Sequence, residues 1–266
     1  MKVNGKVIAV TGGGDGIGRQ VVLELLRRGA RVVAVDIRQD ALDATVDLAG
    51  AGDRLTTAVV DVTDRDAVAA LPGRIEDDHG AVDGVINVAG IIQPFVRLAD
   101  LDWEAIQRVV DVNLWGTLHV VKAFLPHLQK RPAAHVVTVS SMGGFLPVPG
   151  QAVYGATKAA VRLMTEALYA ETMGTPVEVS VVFPGAVSTD ITSNSGVDVP
   201  GGATGGSSRM PTTSPEDAAS TILDGMEEGD LHIYVGKDAK LMGVANRVAP
   251  RRSIHLIQRQ MRKLLG

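Results

Sequence analysis

The sequence contains no cysteine, which excludes disulfide staples, thiolate nucleophiles and cysteine-based metal centres by inventory and suits a reducing compartment. It also lacks a long apolar run. Residues Met1 to Val10 offer only Val7-Ile8-Ala9-Val10 before a glycine cluster, too short for a signal-peptide core. No later run approaches the roughly 18 residues that a spanning helix needs, so the expected location is the cytoplasm. A basic surplus is missing too: 26 Lys and Arg face 30 Asp and Glu, for a net charge of -4. With no basic stretch interleaved with aromatics in its body, the chain is not expected to bind nucleic acid. None of the six histidines has the HExxH spacing of a zinc site, and no metal is expected. Ser141 lacks a nucleophile-elbow pattern, with Val139 where the first glycine should be, which argues against a hydrolase.

What remains is a globular composition: 266 residues, 45% hydrophobic and 21% charged, without a linker near the middle. Seven short β-branched runs recur, at Lys6–Val10, Arg31–Val35, Leu55–Val60, Gly84–Asn87, His135–Val139, Val177–Val182 and Leu231–Val235. Between them lie amphipathic stretches, such as Val21, Val22, Leu25 and Leu26, with helical spacing. Strands alternating with helices predict right-handed crossovers and a mostly parallel sheet. The strands are apolar at nearly every position, as burial of both faces demands. The expected fold is α/β: a single doubly wound, Rossmann-like domain over residues 1–236, with helices on both faces of a seven-stranded sheet, plus a C-terminal helical tail over 237–266.

Val7 to Gly18 runs from a strand through Thr11-Gly12-Gly13-Gly14-Asp15-Gly16-Ile17-Gly18 into an amphipathic helix. Glycines there let the backbone approach a pyrophosphate held at the helix N-terminus. The spacing is Thr-Gly-x-x-x-Gly-x-Gly rather than GxGxxG. Asp36 ends the second strand, about twenty residues beyond the glycines, where a carboxylate accepts from ribose hydroxyls; this favours NAD(H). Repulsion from Asp36 and Asp15 opposes a 2′-phosphate, although Arg38 nearby keeps NADP(H) as an alternative. A role for Asp36 in capping the next helix is compatible with ribose binding.

Tyr154 and Lys158 are spaced by four, which puts phenol and ammonium on one helix face. An adjacent cation stabilises phenolate and brings tyrosine closer to a useful general acid/base. The run Val136-Val137-Thr138-Val139-Ser140-Ser141 delivers hydroxyls to the C-terminal end of a strand, where open α/β sheets bind ligands.

Over residues 3 to 236 the chain resembles the short-chain dehydrogenase/reductase family, with its motifs in collinear order. Thr11-Gly12 to Gly18 is similar to the nucleotide loop and Asp61-Val62 to the adenine-contact pair. Asn87-Val88-Ala89-Gly90 is similar to the Asn-Asn-Ala-Gly element, with Val88 in place of the second asparagine. Asn113 resembles the helix asparagine, Ser141 the catalytic serine, Tyr154/Lys158 the Tyr-x-x-x-Lys pair, and Pro184-Gly185-Ala186-Val187-Ser188-Thr189 the nicotinamide-side motif.

The resemblance implies that Tyr154 exchanges a proton with substrate oxygen, Ser141 orients that oxygen, Lys158 lowers the tyrosine pKa and holds the nicotinamide ribose, and Asn113 positions a water. Ser140 competes with Ser141, which is preferred on spacing. Cofactor contacts are expected from Gly12, Asp15, Gly16, Ile17, Gly18, Asp36, Ile37, Asp61, Val62, Asn87, Ala89, Gly90, Tyr154, Lys158, Pro184, Gly185, Val187 and Thr189. The implied activity interconverts a secondary alcohol and a ketone. A non-catalytic dinucleotide-binding regulator is the alternative.

Three segments carry further expectations. The Gly/Ser-rich stretch 191–213 is expected to be a mobile lid over the substrate or an insertion without a catalytic part. Met142, Phe145, Leu146, Pro147 and Val148 either wall an apolar pocket, favouring a hydrophobic substrate, or pack a loop. The tail beyond Val235 sets eight Lys and Arg against a single acid, Asp238. It is longer than is usual for the family, which often uses this end in subunit contacts; the resemblance implies a homodimer or homotetramer. Its stripe Ile254, Ile257, Met261, Leu264 and Leu265 is expected to dock on its own or a neighbouring subunit, with attachment to anionic lipid as the minority reading.

Overall fold

The computed structural model describes residues 1–197 and 212–261. Seven strands form one sheet: β1 (Val7–Thr11), β2 (Arg31–Asp36), β3 (Leu55–Val59), β4 (Gly84–Asn87), β5 (Ala134–Val139), β6 (Val177–Pro184) and β7 (His232–Val235). Their order is β3-β2-β1-β4-β5-β6-β7, and all six neighbouring pairs are parallel. The expected strands are all present, with ends shifted by a residue or two.

Burial explains why the strands read as continuous apolar runs. Ile8, Val10, Val32 and Ala34 face one core, where they meet Val21, Leu25, Ile222 and Met226. Their neighbours Val7, Ala9, Val33 and Val35 face the other, against Val68, Leu71, Phe124 and Leu168. The period-2 alternation of a strand is intact; both faces are covered.

The first core is closed by α1 (Gly16–Arg27) and α8 (Pro215–Glu228), with α2 (Gln39–Ala49) beside β2. Helices α3 (Arg65–His79), α5 (Thr117–Leu128) and α6 (Ala152–Thr172) cover the other face, and α4 (Trp103–Val110) runs into α5 through a widened π turn at Asp111–Gly116. The starts are capped as the chemistry of orphan N–H groups requires: Asp15 accepts from Gly16, Asp64 from Asp66 and Ala67, and Ser214 from Asp217. Because the chain leaves β1 toward β2 on one side and later returns to β4 on the other, a crevice opens at the C-terminal ends of β1 and β4.

At the opposite edge of the sheet, polar groups are closely paired. The buried Asp83 carboxylate accepts from the Val7 N–H at 3.1 Å and from Arg131 Nε at 2.9 Å, with Lys6 Nζ 3.6 Å away. His135 Nε2 meets Ser180 Oγ at 2.9 Å, and its Nδ1 lies 3.3 Å from Glu178. That histidine contact, together with the Met1 ammonium 2.6 Å away, outweighs partial burial and holds the Glu178 carboxyl down to about 2.

The tail differs from expectation in detail. It forms two helices, α9 (Lys237–Val248) and α10 (Pro250–Met261). The break is at Ala249, held at φ -140 and ψ 65, because a residue preceding proline is barred from the helical region. Helix α9 packs on β7, and α10 packs on α9. The buried line of α10 is Ser253 and Ile257 with Met261 partly covered, whereas Ile254 is 45% exposed. Leu264 and Leu265 lie outside the described residues.

Part of the stretch 191–213, expected to be a mobile lid, falls within the described residues. Ile191–Asn194 form a short helix, α7, and Ser195 and Val197 are buried. Ser195 Oγ accepts from the Ile92 N–H at 3.0 Å, and Thr213 bridges to Val187. Residues 198–211 of that stretch lie outside the described residues.

Candidate active site

The crevice is a cleft of about 820 Å³ bordered by the glycine turn, the end of β2 and the start of α6. The turn after β1 works only without side chains. A Cβ on Gly18 would lie 1.9 Å from the Gly12 carbonyl oxygen, and one on Gly12, which has φ +68, would lie 3.0 Å from the Ala89 nitrogen. The result is a helix N-terminus at the cleft, with Gly12, Asp15, Gly16, Ile17 and Gly18 all along its wall.

Asp36 stands across from that turn. Its Oδ2 accepts from the Gly14 N–H at 3.0 Å and its Oδ1 from the Arg38 N–H at 3.1 Å. Each oxygen keeps a second lone pair for a ligand hydroxyl. Ile37, 60% exposed, lines the same end of the cleft.

Asp15 differs from a free ligand group. One oxygen caps α1 through the Gly16 N–H at 2.8 Å; the other accepts from Asn194 Nδ2 at 2.9 Å and lies 3.4 Å from Arg38. Partial burial opposes its ionisation, but the hydrogen bonds from Asn194 and Gly16 and the nearby Arg19 and Arg38 outweigh it. The carboxyl stays below its usual range.

Asp61 and Val62 line the far wall, with Asp61 Oδ1 accepting from the Thr63 N–H and hydroxyl, both at 2.8 Å. Ala89 and Gly90 border the cleft as well. Asn87 is buried beneath them: its Oδ1 accepts from Thr11 Oγ1 at 2.6 Å and its Nδ2 donates to Thr117 Oγ1 at 2.9 Å. It ties β1, β4 and α5 together, so its side chain supports the site from below.

The chemistry-bearing residues converge at the end of β5. Ser141 and Tyr154 flank Gly143, where a Cβ would lie 3.4 Å from both the serine Oγ and the tyrosine ring. Ser141 Oγ accepts from the Gly143 N–H at 3.0 Å, which fixes the hydroxyl at the cleft. Ser140 turns away and donates to the Lys158 carbonyl at 2.7 Å.

Lys158 is buried, with Nζ donating to the Val139 carbonyl at 2.9 Å. Burial lowers its pKa to about 8. Tyr154 departs from the expected electrostatics: burial raises its pKa, and a hydrogen bond with Ser141 partly offsets that. Desolvation, rather than the lysine's charge, dominates the phenol's surroundings.

Asn113 is fully buried in the π turn. Its amide clamps Ile91 from both sides, Oδ1 accepting from the N–H and Nδ2 donating to the carbonyl, each at 2.9 Å. A Cβ on Gly90 would lie 3.0 Å from Lys158 Nζ and 3.1 Å from Asn113 Oδ1, so these three positions meet.

Pro184, Gly185, Val187 and Thr189 complete the wall. Sequence reading missed their support. Asp238 Oδ2 accepts from the Ala186 N–H at 2.9 Å, and Gly185 and Gly236 leave the space that its carboxylate fills. Its signal was present: it is the single acid of a basic tail. The expected apolar wall resolves toward packing. Leu146 is fully buried, and Phe145 stacks edge-on against Phe183 and Tyr234 at 5.6 and 6.4 Å. The apolar lining of the cleft includes Ile91, Ile92 and Ile191. Among the described residues, no cluster of three His, Asp or Glu side chains could hold a metal ion.

A parallel seven-stranded sheet with a glycine turn at its switch point and a Ser–Tyr–Lys group at the end of β5 describes a nucleotide-linked oxidoreductase architecture. The model of the short-chain dehydrogenase family matches residues 6–199, and the chain belongs to that family. It is 38% identical over 251 residues to the oxidoreductase SadH of Mycobacterium tuberculosis, spanning 92% of this chain and 91% of that protein. Among solved structures, a short-chain dehydrogenase/reductase from Burkholderia phymatum in complex with NAD superposes with a TM-score of 0.80 at 25% identity, covering 93% of this chain and 96% of that one. A short-chain dehydrogenase from Burkholderia cenocepacia in complex with NADP gives 0.80 at 28% identity, covering 96% and 98%. The class is therefore oxidoreductase, with a nicotinamide dinucleotide as cofactor.

Proposed function

We propose that this protein is an NAD(H)-dependent oxidoreductase that interconverts a secondary alcohol and a ketone on a hydrophobic small molecule. The observation that carries this reading is the meeting of Ser141, Tyr154 and Lys158 beside Gly90, in the same cleft as the glycine turn. A dinucleotide fits the residues present: backbone N–H groups and the start of α1 suit its pyrophosphate, and the Asp36 carboxylate suits ribose hydroxyls. When bound, the nicotinamide supplies or receives the hydride.

The chain's own residues do the rest. Ser141 donates a hydrogen bond to the substrate oxygen and orients it. Tyr154 gives its phenolic proton to that oxygen in reduction and takes it back in oxidation. Lys158, whose lowered pKa still leaves it mainly cationic at neutral pH, holds the nicotinamide ribose and stabilises the phenolate. Asn113 fixes the turn after β4 through the backbone of Ile91 and places the water that resupplies the proton. Ile91, Ile92 and Ile191 favour an apolar substrate.

NAD(H) is preferred because Asp36 would repel a 2′-phosphate; the second reading, NADP(H), rests on Arg38 at the same rim, although its guanidinium lies 3.4 Å from Asp15. Residues 1–236 and the tail 237–266 act as one unit. A cytoplasmic homo-oligomer is the proposed setting. Among the described residues no helix is long and apolar enough to cross a membrane.

The test is NADH absorbance with a panel of apolar ketones, for the parent and Tyr154→Phe. Turnover by the parent that Tyr154→Phe loses supports the assignment. Tight NADH binding without turnover on any ketone would instead favour the regulator reading, and parental turnover by Tyr154→Phe would overturn the assigned acid/base.

A further inference from the structure

Helix α6 carries both Tyr154 and Lys158, yet it starts without a local cap. Its N-cap residue is Gln151, whose side chain accepts nothing from the helix. The backbone N–H groups of Val153 and Tyr154, second and third in the helix, would be orphaned in a partly buried site. They are not. Both donate to one atom from 60 residues earlier in the chain: Gln93 Oε1 accepts from Val153 and from Tyr154, each at 2.9 Å.

Gln93 is completely buried, and its side-chain nitrogen and backbone carbonyl bond to the same segment. Its Nε2 donates to the Gly150 carbonyl at 2.9 Å, and its own carbonyl accepts from Gln151 Nε2 at 2.8 Å. Four hydrogen bonds thus lock residues 150–154 to a single side chain and its backbone. Glutamine suits this place because it has an acceptor for two helix N–H groups and a donor for a carbonyl, all without charge. A glutamate would keep the acceptor but set a carboxylate against the Gly150 carbonyl. A leucine of similar bulk would leave two N–H groups and a carbonyl unpaired.

We infer that Gln93 is a positioning residue for the reaction: it is the missing cap of the catalytic helix, and by holding the backbone of Tyr154 it sets where the phenol sits relative to Ser141. The inference rests on the proposed role of Tyr154. Gln93 touches no reacting atom; its effect passes through the amide of Tyr154. A misplacement on the scale of 1 Å costs about 100-fold in rate, so loss of this cap is expected to lower kcat about 10- to 100-fold. Binding of NADH, which uses the glycine turn and Asp36, is expected to change less than about threefold on the same reasoning.

The experiment uses the full chain and three variants. Gln93→Leu removes the cap. The double variant Gln93→Leu/Gln151→Ser supplies a neutral hydroxyl acceptor at the helix's own N-cap position. Tyr154→Phe is run alongside. Amide hydrogen exchange across 150–158 reads the cap without reference to activity, NADH titration reads cofactor affinity, and ketone reduction reads kcat. The expected result is faster exchange at 153–154 and a reduced kcat in Gln93→Leu, near-parental NADH affinity, and partial recovery of both exchange protection and kcat in the double variant. Parental exchange at 153–154 in Gln93→Leu would overturn the cap. So would parental kcat beside an inactive Tyr154→Phe, or losses of kcat and NADH affinity of equal size that Gln151→Ser fails to relieve. Parental turnover by Tyr154→Phe would strike the assigned chemistry instead, leaving the exchange result to judge the cap by itself.

Discussion

The two ends of the sheet hold buried ionisable groups in opposite conditions. At the N-terminal edge, Asp83 has a backbone N–H, a guanidinium and an ammonium around it, and His135 is placed between Ser180 and Glu178. At the C-terminal edge, Lys158 is buried with one carbonyl as its hydrogen-bond partner among the described residues, and the phenol of Tyr154 is desolvated. The first arrangement is what stability asks of buried charge; the second leaves groups that a ligand can complete. An α/β domain can thus keep a rigid floor and an electrostatically unfinished rim on the same strands.

This contrast can be broken in steps. The largest effect is expected for Tyr154→Phe, which should lower kcat by about 1,000-fold or more, as loss of a general acid/base does, while its melting temperature stays close to the parent's. Calorimetry with NADH turnover checks both. A melting temperature that falls with activity would erase the distinction between the ends.

At the floor, Asp83→Ala strands Arg131, Lys6 and the Val7 N–H, and should destabilise the fold by about 3 kcal/mol. Its kcat, measured where the protein is folded, should stay within about twofold of the parent because no reacting group is touched. A selective loss of kcat would show that the floor also shapes the rim.

Lys158→Met is expected to move stability and activity in opposite directions. The lysine's pKa falls from 10.5 to about 8 on folding. Below pH 8 both folded and unfolded chains carry the charge, so its full burial penalty, about 3 kcal/mol at 1.36 kcal/mol per unit, opposes folding. The penalty fades as pH rises from 8 to 10.5, because the folded chain gives up its proton first. Cofactor-free Lys158→Met should therefore be the more stable protein at pH 7 and lose that advantage by pH 10.5, while its turnover collapses. Denaturant titrations at several pH values decide it; a variant less stable than the parent at pH 7 would refute the description of this end as unfinished.

The smallest of these effects concerns cofactor choice. Asp36→Ala should raise the ratio of NADPH to NADH affinity about tenfold, by removing one charge from the rim while Arg38 remains. An unchanged ratio would move the discrimination elsewhere.

Much of this arrangement was legible before any coordinates. Alternating apolar runs and helical spacing located every strand, and glycines, Asp36, Ser141, Tyr154 and Lys158 announced themselves by type and interval. What escaped was long-range. Gln93 looks like an unremarked loop glutamine until α6 folds against it, and Asp238, conspicuous as the single acid of the tail, does not name Ala186 as its partner. The tie of the Asn87 amide to Thr11 and Thr117, on two other elements, is of the same kind. Phe145 and Leu146, read as either wall or filler, became filler once Phe183 and Tyr234 came alongside. Spacing reveals partners on one element; it is silent on partners brought together by topology.

The Asp238 contact also changes what the last thirty residues are. A chain cut after Gly236 would lose not an appendage but the acceptor that holds the amide of Ala186, and the cleft wall at Pro184–Val187 would lose its prop from behind. For anyone trimming or fusing this protein, the safe margin therefore begins well past α9, and the basic extension must be inherited together with the loop it braces.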